Sequence, residues 1–283
     1  MAKIDVPHRE DSVHDDTRAT DLLHYVFSLP NLEEIRGNPA KVIEAIDDYS
    51  ENYKFLMNVG ADKGGHVVSL IRQQKPSTMV EVGAFVGYSA IMFGSAVREA
   101  GGKQYFSLEI NPVFAAVSSL LVHLAGLGDF VQFLIAPCNV SLARLAHDDM
   151  LENGQINLLF VDHWQKRYVP DLWVAEQLGL LKPGVSTIVA DNVILPGAPD
   201  YVEWVTASPT EKREKLKAAE TPDVLKVESL VDHIKKNGYG AGKVNLDNVL
   251  GNPNLIYETE LHKYPLLNSE DAISVTKVVG LEN

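Results

Sequence analysis

Three oxygen-bearing side chains stand where two apolar segments of the sequence end. Asp162 ends the run INLLFVD, and Asp191 with Asn192 ends VSTIVADN. Each run predicts a buried strand, and the carboxyl ends of parallel strands meet at the sheet edge where ligands bind. Two carboxylates and an amide oxygen suit Mg²⁺ rather than zinc, and they leave three octahedral positions for substrate oxygens and water. The alternative is that Asp191 and Asn192 only cap the turn that follows.

A glycine turn earlier in the chain has the composition of a ligand-binding loop. Glu81, Gly83 and Gly87 belong to EVGAFVGY, where glycine lets the backbone turn sharply and approach a ligand. The spacing differs from the dinucleotide pattern G-x-G-x-x-G, and an acidic residue before it suits a cationic ligand such as S-adenosylmethionine better than a phosphate. Glu109, at the tip of the next predicted strand, can accept the ribose hydroxyls of such an adenosine ligand.

Hydrophobic periodicity predicts the elements that hold these residues. Apolar residues recur at helical spacing in DLLHYVFSLPNLEEI and PAKVIEAIDDYSENYKFLM, and residues 60–65 (GADKGG) are expected to interrupt the pattern before a helix in HVVSLIRQQ. From Thr78 onwards, apolar strands alternate with helices, which implies a mostly parallel, doubly wound α/β sheet with helices on both faces. IYETELHKYPL and AISVTKVVGL then predict a closing antiparallel pair.

Composition limits the organisation and the partners of the chain. Residues 1–20 are polar and are expected to form a disordered tail, and residues 21–283 a single domain with a polar insertion at about 206–254. A net charge of −13 argues against a nucleic-acid partner, although acidity equally serves solubility alone. No signal core and no run of about 18 apolar residues is present, so we expect a cytoplasmic protein without a membrane partner, as a monomer or homodimer. The single cysteine, Cys138, excludes an internal disulfide.

Five segments together resemble the catechol O-methyltransferase family. They are AIDDYSENYKFLMNVGADKG, EVGAFVGYSA, LEINP, FVDHWQKRYVPD and ADNVILPGAPD, and they occur in order between about Val42 and Val205. The resemblance implies a Rossmann-like methyltransferase fold with N-terminal helices. It also implies S-adenosylmethionine and Mg²⁺ as cofactors, and methyl transfer to one hydroxyl of a catechol-like aromatic diol.

The resemblance also implies three groups of site residues. The cofactor would be surrounded by Met57, Val59, Glu81, Gly83, Tyr88, Ser89, Glu109, Ile110, Cys138, Asn139, Asp162, His163 and Trp164. Of these, Glu109 would hold the ribose and Ile110 would pack on the adenine, while Cys138 and Asn139 replace the family's polar pair beside it. Mg²⁺ would be held by Asp162, Asp191 and Asn192. The substrate would lie against Phe55, Trp164, Gln165, Asn192 and Pro196.

One departure from the family concerns the general base. The family has a lysine where this chain has Gln165, and an amide cannot take a proton near neutral pH. Lys166 is the candidate substitute. A second acidic substrate contact of the family is not placed by the alignment, and the candidates are Glu258, Glu260 and Glu270. The alternative function is therefore a cofactor-binding protein with lost or altered catalysis, regulatory or assisting a rearrangement without methyl transfer.

Overall fold

The structure of this chain is a computed structural model, and it describes residues 17–219, 249–266 and 268–282. The helices are α1 (Arg18–Ser28), α2 (Leu32–Ile35), α3 (Pro39–Asn52), α4 (Gly60–Gln74), α5 (Tyr88–Glu99), α6 (Pro112–Leu124), α7 (Cys138–His147), α8 (Tyr168–Gln177), α9 (Pro199–Thr206) and α10 (Pro209–Ala219). The strands are β1 (Thr78–Val82), β2 (Gln104–Glu109), β3 (Val131–Ile135), β4 (Leu158–Val161), β5 (Thr187–Ala190), β6 (Leu255–Pro265) and β7 (Glu270–Leu281).

The strands form one sheet in the order β3-β2-β1-β4-β5-β7-β6. The first five in the chain pair in parallel, and β7 runs antiparallel between β5 and β6. The predicted mostly parallel α/β sheet and its closing antiparallel pair are both confirmed. The pattern of separate strands did not indicate that β7 would lie between β5 and β6.

The register aligns the ends of the four central strands. Val82 of β1 pairs with Leu108 of β2 and with Val161 of β4, and Val161 pairs with Ala190 of β5. The residue after each of these positions therefore stands in one row along the carboxyl edge of the sheet. These strands are buried on both faces, which is why their sequences are apolar runs rather than alternating ones.

Two hydrophobic layers cover the sheet. Met79 of β1 faces a cluster that includes buried residues of α1, α3, α4, α5 and α6, whereas Val80 and Val82 face a cluster built with α7, α8 and α9. Successive side chains of a strand point to opposite faces, so one short strand contributes to both layers. The layers hold the carboxyl edge of the sheet in a fixed place.

Helix α4 differs from its prediction. The expected interruption at residues 60–65 is wrong, because α4 begins at Gly60 and runs through the whole GADKGG segment. Gly64 lies against α5, where an added Cβ would stand 2.6 Å from the Met92 sulfur, so glycine permits a close helix contact. Packing of this kind overrides weak local helix propensity.

The predicted domain limits are only partly within the described residues. Helix α1 begins at Arg18 and buries Ala19, so helical structure starts just inside the predicted tail 1–20. Helix α10 and residues 249–254 belong to the predicted insertion, and 220–248 lie outside the described residues, as do 1–16. Among the residues that the structure describes, no helix is long and apolar enough to cross a membrane.

Candidate active site

The row at the carboxyl edge of the sheet contains Gly83, Glu109, Asp162 and Asp191. Each follows or ends a strand whose last residues are in register with its neighbours. From β1 the chain proceeds to β2 on one side, and β4 lies on the other, so the row spans the point where strand order reverses. A crevice forms at such a switch point, and ligands of open α/β sheets bind there.

The glycine turn is shaped by two close backbone approaches. Gly83 has φ +96°, and a Cβ there would stand 2.4 Å from the carbonyl oxygen of Asp162. Gly87 has φ +85°, and a Cβ would stand 3.1 Å from Ser118. Only glycine adopts both conformations without strain. Tyr88 and Ser89 follow as the first residues of α5 and are buried at its N-terminus.

Glu109 braces the glycine turn. Its Oε2 accepts the backbone N–H groups of Ala84 and Phe85 at 3.0 and 3.1 Å, and its Oε1 accepts that of Asn111 at 2.8 Å. A carboxylate offers about four lone-pair positions, so one remains for a ribose hydroxyl. Ile110, beside it, has 67% of its surface exposed, and its contact with a ligand stays a prediction.

Glu81 lies deeper than its predicted role requires. It is fully buried, and its carboxylate accepts the hydroxyls of Tyr105 at 2.7 Å and Ser107 at 2.6 Å. Burial raises the pKa of Glu81 to about 7, although these hydrogen bonds and one with Ser89 act to lower it. Glu81 therefore touches the ligand crevice through Ser89 at the start of α5, and direct contact with a cofactor stays a prediction.

A buried ion cluster surrounds the end of β5. Lys63 of α4 donates to Asp191 Oδ1 at 2.6 Å and to Asp271 Oδ2 at 2.5 Å. The Asn192 backbone N–H also donates to Asp191 Oδ1, at 2.7 Å, and the Asn192 amide nitrogen donates to Asp271 Oδ2 at 2.9 Å. Asp191 and Asp271 are each 2% exposed and the Lys63 side chain 13%, so the two ion pairs are largely desolvated.

The pKa shifts in this cluster follow from burial and from Lys63. Burial alone would lower the pKa of Lys63, but its two carboxylate partners raise it. Burial would raise the pKa of Asp271, yet bonds from Lys63, from Asn192 and from backbone N–H groups lower it. Asp191 accepts fewer such bonds, so burial keeps its pKa raised despite Lys63. Lys63 is thus held as a cation between the two carboxylates.

Asp271 also fixes the segment that carries Pro196. Its Oδ1 accepts the backbone N–H of Leu195 at 2.9 Å and of Ile194 at 3.3 Å. The Leu195–Pro196 peptide bond is cis, and Leu195 has 45% of its surface exposed towards solvent. The segment of Pro196, a predicted substrate contact, is therefore positioned by an aspartate on β7 that was not predicted as a site residue.

The donor set fits a divalent cation. The hydrogen bond from Asn192 to Asp271 uses the amide nitrogen, so the amide oxygen is the atom left for a metal. Asp162 and Asp191 follow paired residues of adjacent strands. When ionised, the carboxylates of Asp162, Asp191 and Asp271 exceed the ammonium of Lys63 by two charges, which one divalent cation would neutralise.

A second polar cluster lies next to Asp162, against α8. His163 Nε2 lies 2.8 Å from Asp171 Oδ2, and Arg167 donates to Asp171 Oδ1 at 2.8 Å. Cys138 stands at the start of α7 and hydrogen-bonds to Asp171. Burial, and after it the nearby Asp171 carboxylate, raises the pKa of the Cys138 thiol well above its ordinary range. Asn139 is buried beside it. Asp171 was not among the predicted site residues.

The remaining predicted residues form an exposed rim. Phe55, Met57 and Trp164 have 43, 38 and 52% of their surface exposed, while Val59 is buried at the start of α4. The Lys166 ammonium lies over the Trp164 ring, 5.3 Å from the ring centroid, and Lys166 is exposed.

Gln165, in the turn after Trp164, is half-buried, and that turn contacts the segment Val193–Gly197. Glu258, Glu260 and Glu270 are exposed, and Glu270 pairs with Lys263. None of these three therefore occupies the buried acidic position of Asp271.

Comparison with known proteins identifies the family. The O-methyltransferase family profile matches residues 40–227. The chain is 33% identical over 205 residues to a catechol O-methyltransferase of Bos taurus, covering 72% of each sequence. It is 37% identical over 172 residues to that of Mus musculus, covering 61% of this chain and 63% of the relative. A solved O-methyltransferase from Bacillus cereus in complex with SAH shares the fold, with a TM-score of 0.52, 18% identity, and coverage of 93% and 98%.

Proposed function

This chain belongs to the O-methyltransferase family and is a methyltransferase, and we propose that it transfers a methyl group from S-adenosylmethionine to one hydroxyl of a catechol-like substrate, with Mg²⁺. The single observation that carries the proposal is the row of Gly83, Glu109, Asp162 and Asp191 at the strand-order switch. It brings the glycine turn and three acidic side chains into one crevice, which supports a cofactor bound beside a hard metal ion. The relatives from Bos taurus and Mus musculus are catechol O-methyltransferases, which supports an aromatic diol as the methyl acceptor.

The residues that would hold Mg²⁺ are Asp162, Asp191 and Asn192. Their oxygens are hard ligands, and Lys63 and Asp271 hold Asp191 and Asn192 in place. When bound, Mg²⁺ would lower the pKa of a coordinated substrate hydroxyl and so prepare its oxygen for attack on the methyl group. Two adjacent hydroxyls fit the coordination positions that three protein oxygens leave open.

The chain's own residues bring the two reactants together. The glycine turn admits the cofactor, and the Glu109 carboxylate accepts a hydroxyl of its ribose beside the exposed Ile110. Phe55 and Trp164 offer exposed aromatic surface to a planar substrate. Alignment of this kind supplies most of the rate of a displacement reaction.

Gln165 shapes the pH dependence that we expect. An amide cannot remove the proton of the attacking hydroxyl, and a positioned base usually contributes about 10²–10⁴-fold. Methyl transfer should therefore rise with pH as the substrate hydroxyl ionises. Lys166 remains a candidate base, although its ammonium lies over the Trp164 ring on the exposed side.

The experiment is transfer of labelled methyl from S-adenosylmethionine to a panel of catechols, with Mg²⁺ or with EDTA, from about pH 7 to about pH 9. The proposal expects product that depends on Mg²⁺, increases with pH and is lost in Asp191→Asn. The matched control is Asp200→Asn, which changes an exposed aspartate of α9 and should keep full activity.

The alternative of altered catalysis rests on Gln165 and predicts a different result. Tight cofactor binding by calorimetry, with no methyl product from any catechol at any pH, would replace the catechol proposal by that alternative. Product that forms equally in EDTA would instead remove Mg²⁺ from the proposal and leave methyl transfer standing.

A further inference from the structure

Helix α10 docks on the rest of the chain with a buried lysine. Among the side chains of α10 that the structure describes, the buried ones are Lys212, with no exposed surface, and Leu216. A lysine is almost never fully buried unless its ammonium has partners that replace water. Helices usually dock through a stripe of apolar residues. The position of α10 therefore depends on what the Lys212 ammonium binds.

The Lys212 ammonium lies in a pocket that other elements build. It donates a hydrogen bond to the backbone oxygen of Leu255, the first residue of β6, at 2.8 Å. It also lies 3.9 Å from the ring centroid of Tyr257 on the same strand and 5.3 Å from that of Trp204 on α9. Aromatic ring faces attract a cation, most strongly where water is excluded. Glu176, Trp204, Leu255 and Tyr257 are called the ammonium pocket below.

Glu176 of α8 fixes the two aromatic rings of the ammonium pocket. Its carboxylate is buried, and its Oε1 accepts the Trp204 indole N–H at 2.8 Å and the Tyr257 hydroxyl at 2.6 Å. Its Oε2 accepts the backbone N–H of Asn252 at 2.7 Å. One carboxylate thus orients both rings that face the Lys212 ammonium and brings a negative charge into the pocket.

The charges of Lys212 and Glu176 support each other. Burial lowers the pKa of Lys212 to about 8, although the Glu176 carboxylate acts to raise it. Burial raises the pKa of Glu176 to about 7, although its hydrogen bonds and the charge of Lys212 act to lower it. Lys212 therefore keeps its proton at neutral pH, and the pocket suits a cation better than an apolar side chain.

The ammonium pocket joins the two described parts of the polar insertion. Helix α10 ends at Ala219, before residues 220–248, and Leu255 follows them. Arg213, next to Lys212, also donates to the Asn254 side chain at 3.0 Å and pairs with Glu282 at 2.5 Å. The Arg213 and Glu282 side chains are 39 and 44% exposed, and such ion pairs contribute little to stability. The buried contact of Lys212 is therefore the stronger polar attachment of α10.

We propose that the ammonium pocket is a binding site for a primary alkylammonium group, which the chain fills with its own Lys212 to dock α10. A primary ammonium fits because it can donate to the Leu255 oxygen while its charge faces two aromatic rings. The covalent link gives Lys212 a high effective concentration, so a free ammonium enters only when Lys212 is removed. Occupancy of the pocket then decides whether α10 is docked or released.

The experiment removes this intramolecular ligand and supplies it again as n-propylammonium, which matches the part of the side chain that Lys212→Ala removes. Amide hydrogen exchange of α10 reports docking, and that of β1 reports the fold. Lys212→Ala should speed exchange in α10 about tenfold or more with β1 unchanged, although alanine favours a helix. About 50 mM n-propylammonium should slow it again, whereas 1-propanol, which is neutral, and tetramethylammonium, which has no N–H, should not.

Two further variants define the specificity of this response. Lys217→Ala changes an exposed lysine of the same helix, and its α10 exchange should stay unchanged with or without n-propylammonium. Glu176→Gln, combined with Lys212→Ala, keeps an oxygen that accepts hydrogen bonds but removes the charge. It should raise the n-propylammonium concentration for half-maximal protection about tenfold. An unchanged concentration would overturn the assignment of Glu176 to the site.

Lys212→Met separates an ammonium site from simple filling of space. Methionine occupies much of the same volume without charge, so α10 should exchange fast in this variant as well. Protection by methionine equal to that by lysine overturns the proposal. So does an Lys212→Ala variant that ignores n-propylammonium or responds equally to 1-propanol. If Lys212→Ala also loses protection in β1, Lys212→Met carries the test. None of these measurements uses methyl transfer, so they are independent of the proposed function.

Discussion

The carboxylate of Asp271 connects three parts of the chain. It accepts hydrogen bonds from Lys63 of α4, from the Asn192 amide after β5, and from the backbone N–H groups of Ile194 and Leu195. Asp271→Ala removes all of these acceptors at once. We expect the Mg²⁺ concentration for half-maximal methyl transfer to rise about 10–100-fold, because Asn192 loses the bond that orients its amide.

A Mg²⁺ titration of initial rates, with Mn²⁺ binding measured by calorimetry, checks this prediction. Asp200→Ala is the control, since Asp200 is an exposed aspartate on α9. An unchanged metal affinity in Asp271→Ala would show that Asn192 keeps its orientation without the aspartate.

Restoring the lysine of the family tests the assignment of the base. Gln165→Lys should raise the rate on catechol by about 10²-fold or more and reduce its increase with pH, because an amine then takes the hydroxyl proton. Rate-against-pH profiles of both proteins measure this. Lys166→Gln is the companion variant: if Lys166 already serves as the base, this change lowers the rate and the Gln165→Lys gain is small.

Site residues at the ends of strands could be selected from the sequence, whereas residues that act through tertiary contacts could not. Asp162, Asp191 and Asn192 could be selected because each ends an apolar run. Asp271 was not selected from the sequence; the acidic candidates named for the second substrate contact, Glu258, Glu260 and Glu270, are exposed. A usable signal exists, since Asp271 opens the run DAISVT, which is buried throughout. A charged residue at the start of such a strand needs a partner, and Lys63 lies 208 positions away.

At the scale of elements, α4 offers a matched pair of glycines. Gly65 is exposed in the helix interior with no atom within 4 Å of an added Cβ, whereas a Cβ on Gly64 meets the Met92 sulfur at 2.6 Å. Gly65→Ala should raise the free energy of unfolding by about 0.5–1 kcal/mol, because alanine restricts the unfolded chain and favours helix. Gly64→Ala should gain less, because Met92 must move.

Urea denaturation of the two variants beside the unmodified chain measures this difference. Equal stabilisation by both alanines would mean that the α4–α5 contact imposes no steric requirement at Gly64. The result bears on the site as well, because the same turn of α4 carries Lys63.

The prediction for α4 failed because it used local propensity alone. Three glycines among residues 60–65 suggested an interruption, but the ion contacts of Lys63 with Asp191 and Asp271 hold this turn in the helix. Helices in proteins owe most of their stability to tertiary contacts, which a local pattern does not contain. In contrast, the β6–β7 pair was predicted correctly, since each strand has its own apolar pattern.

For the whole molecule, the buried carboxyl of Glu81 predicts a dependence of stability on pH. Burial raises its pKa from 4.5 to about 7, so the folded state takes up a proton that the unfolded state lacks between these values. The contribution of Glu81 to the free energy of unfolding is on the order of 3 kcal/mol. It is fully present below about pH 4.5 and is lost as pH rises to about 7. Glu81→Gln should remove this dependence.

The measurement is the free energy of unfolding in urea at about pH 5 and about pH 8, for the unmodified chain and Glu81→Gln. The variant should become relatively more stable at the higher pH. Glu99→Gln changes an exposed glutamate of α5 and should show the same pH dependence as the unmodified chain. A Glu81→Gln variant that follows this control would place the Glu81 pKa near its ordinary value.

Parallel pairing of the first five strands was predictable, as was the antiparallel pair that closes the sheet. Alternating apolar strands and helices imply parallel pairing with both faces covered, and the two hydrophobic layers agree with this. The insertion of β7 between β5 and β6 was not predictable from pattern, because antiparallel pairing with β5 depends on side chains that are distant in sequence.

The contact between Lys63 and Asp271 also bears on how the molecule is made. It joins residues 208 positions apart, so α4 and β1–β5 leave the ribosome long before β7 can pair with β5. Contacts of such sequence separation form late, after the local elements have assembled. The oriented amide of Asn192 and the fixed Pro196 segment are therefore absent from a nascent chain. A chain truncated before β7 would lack Asp271 and with it the acceptor that orients both.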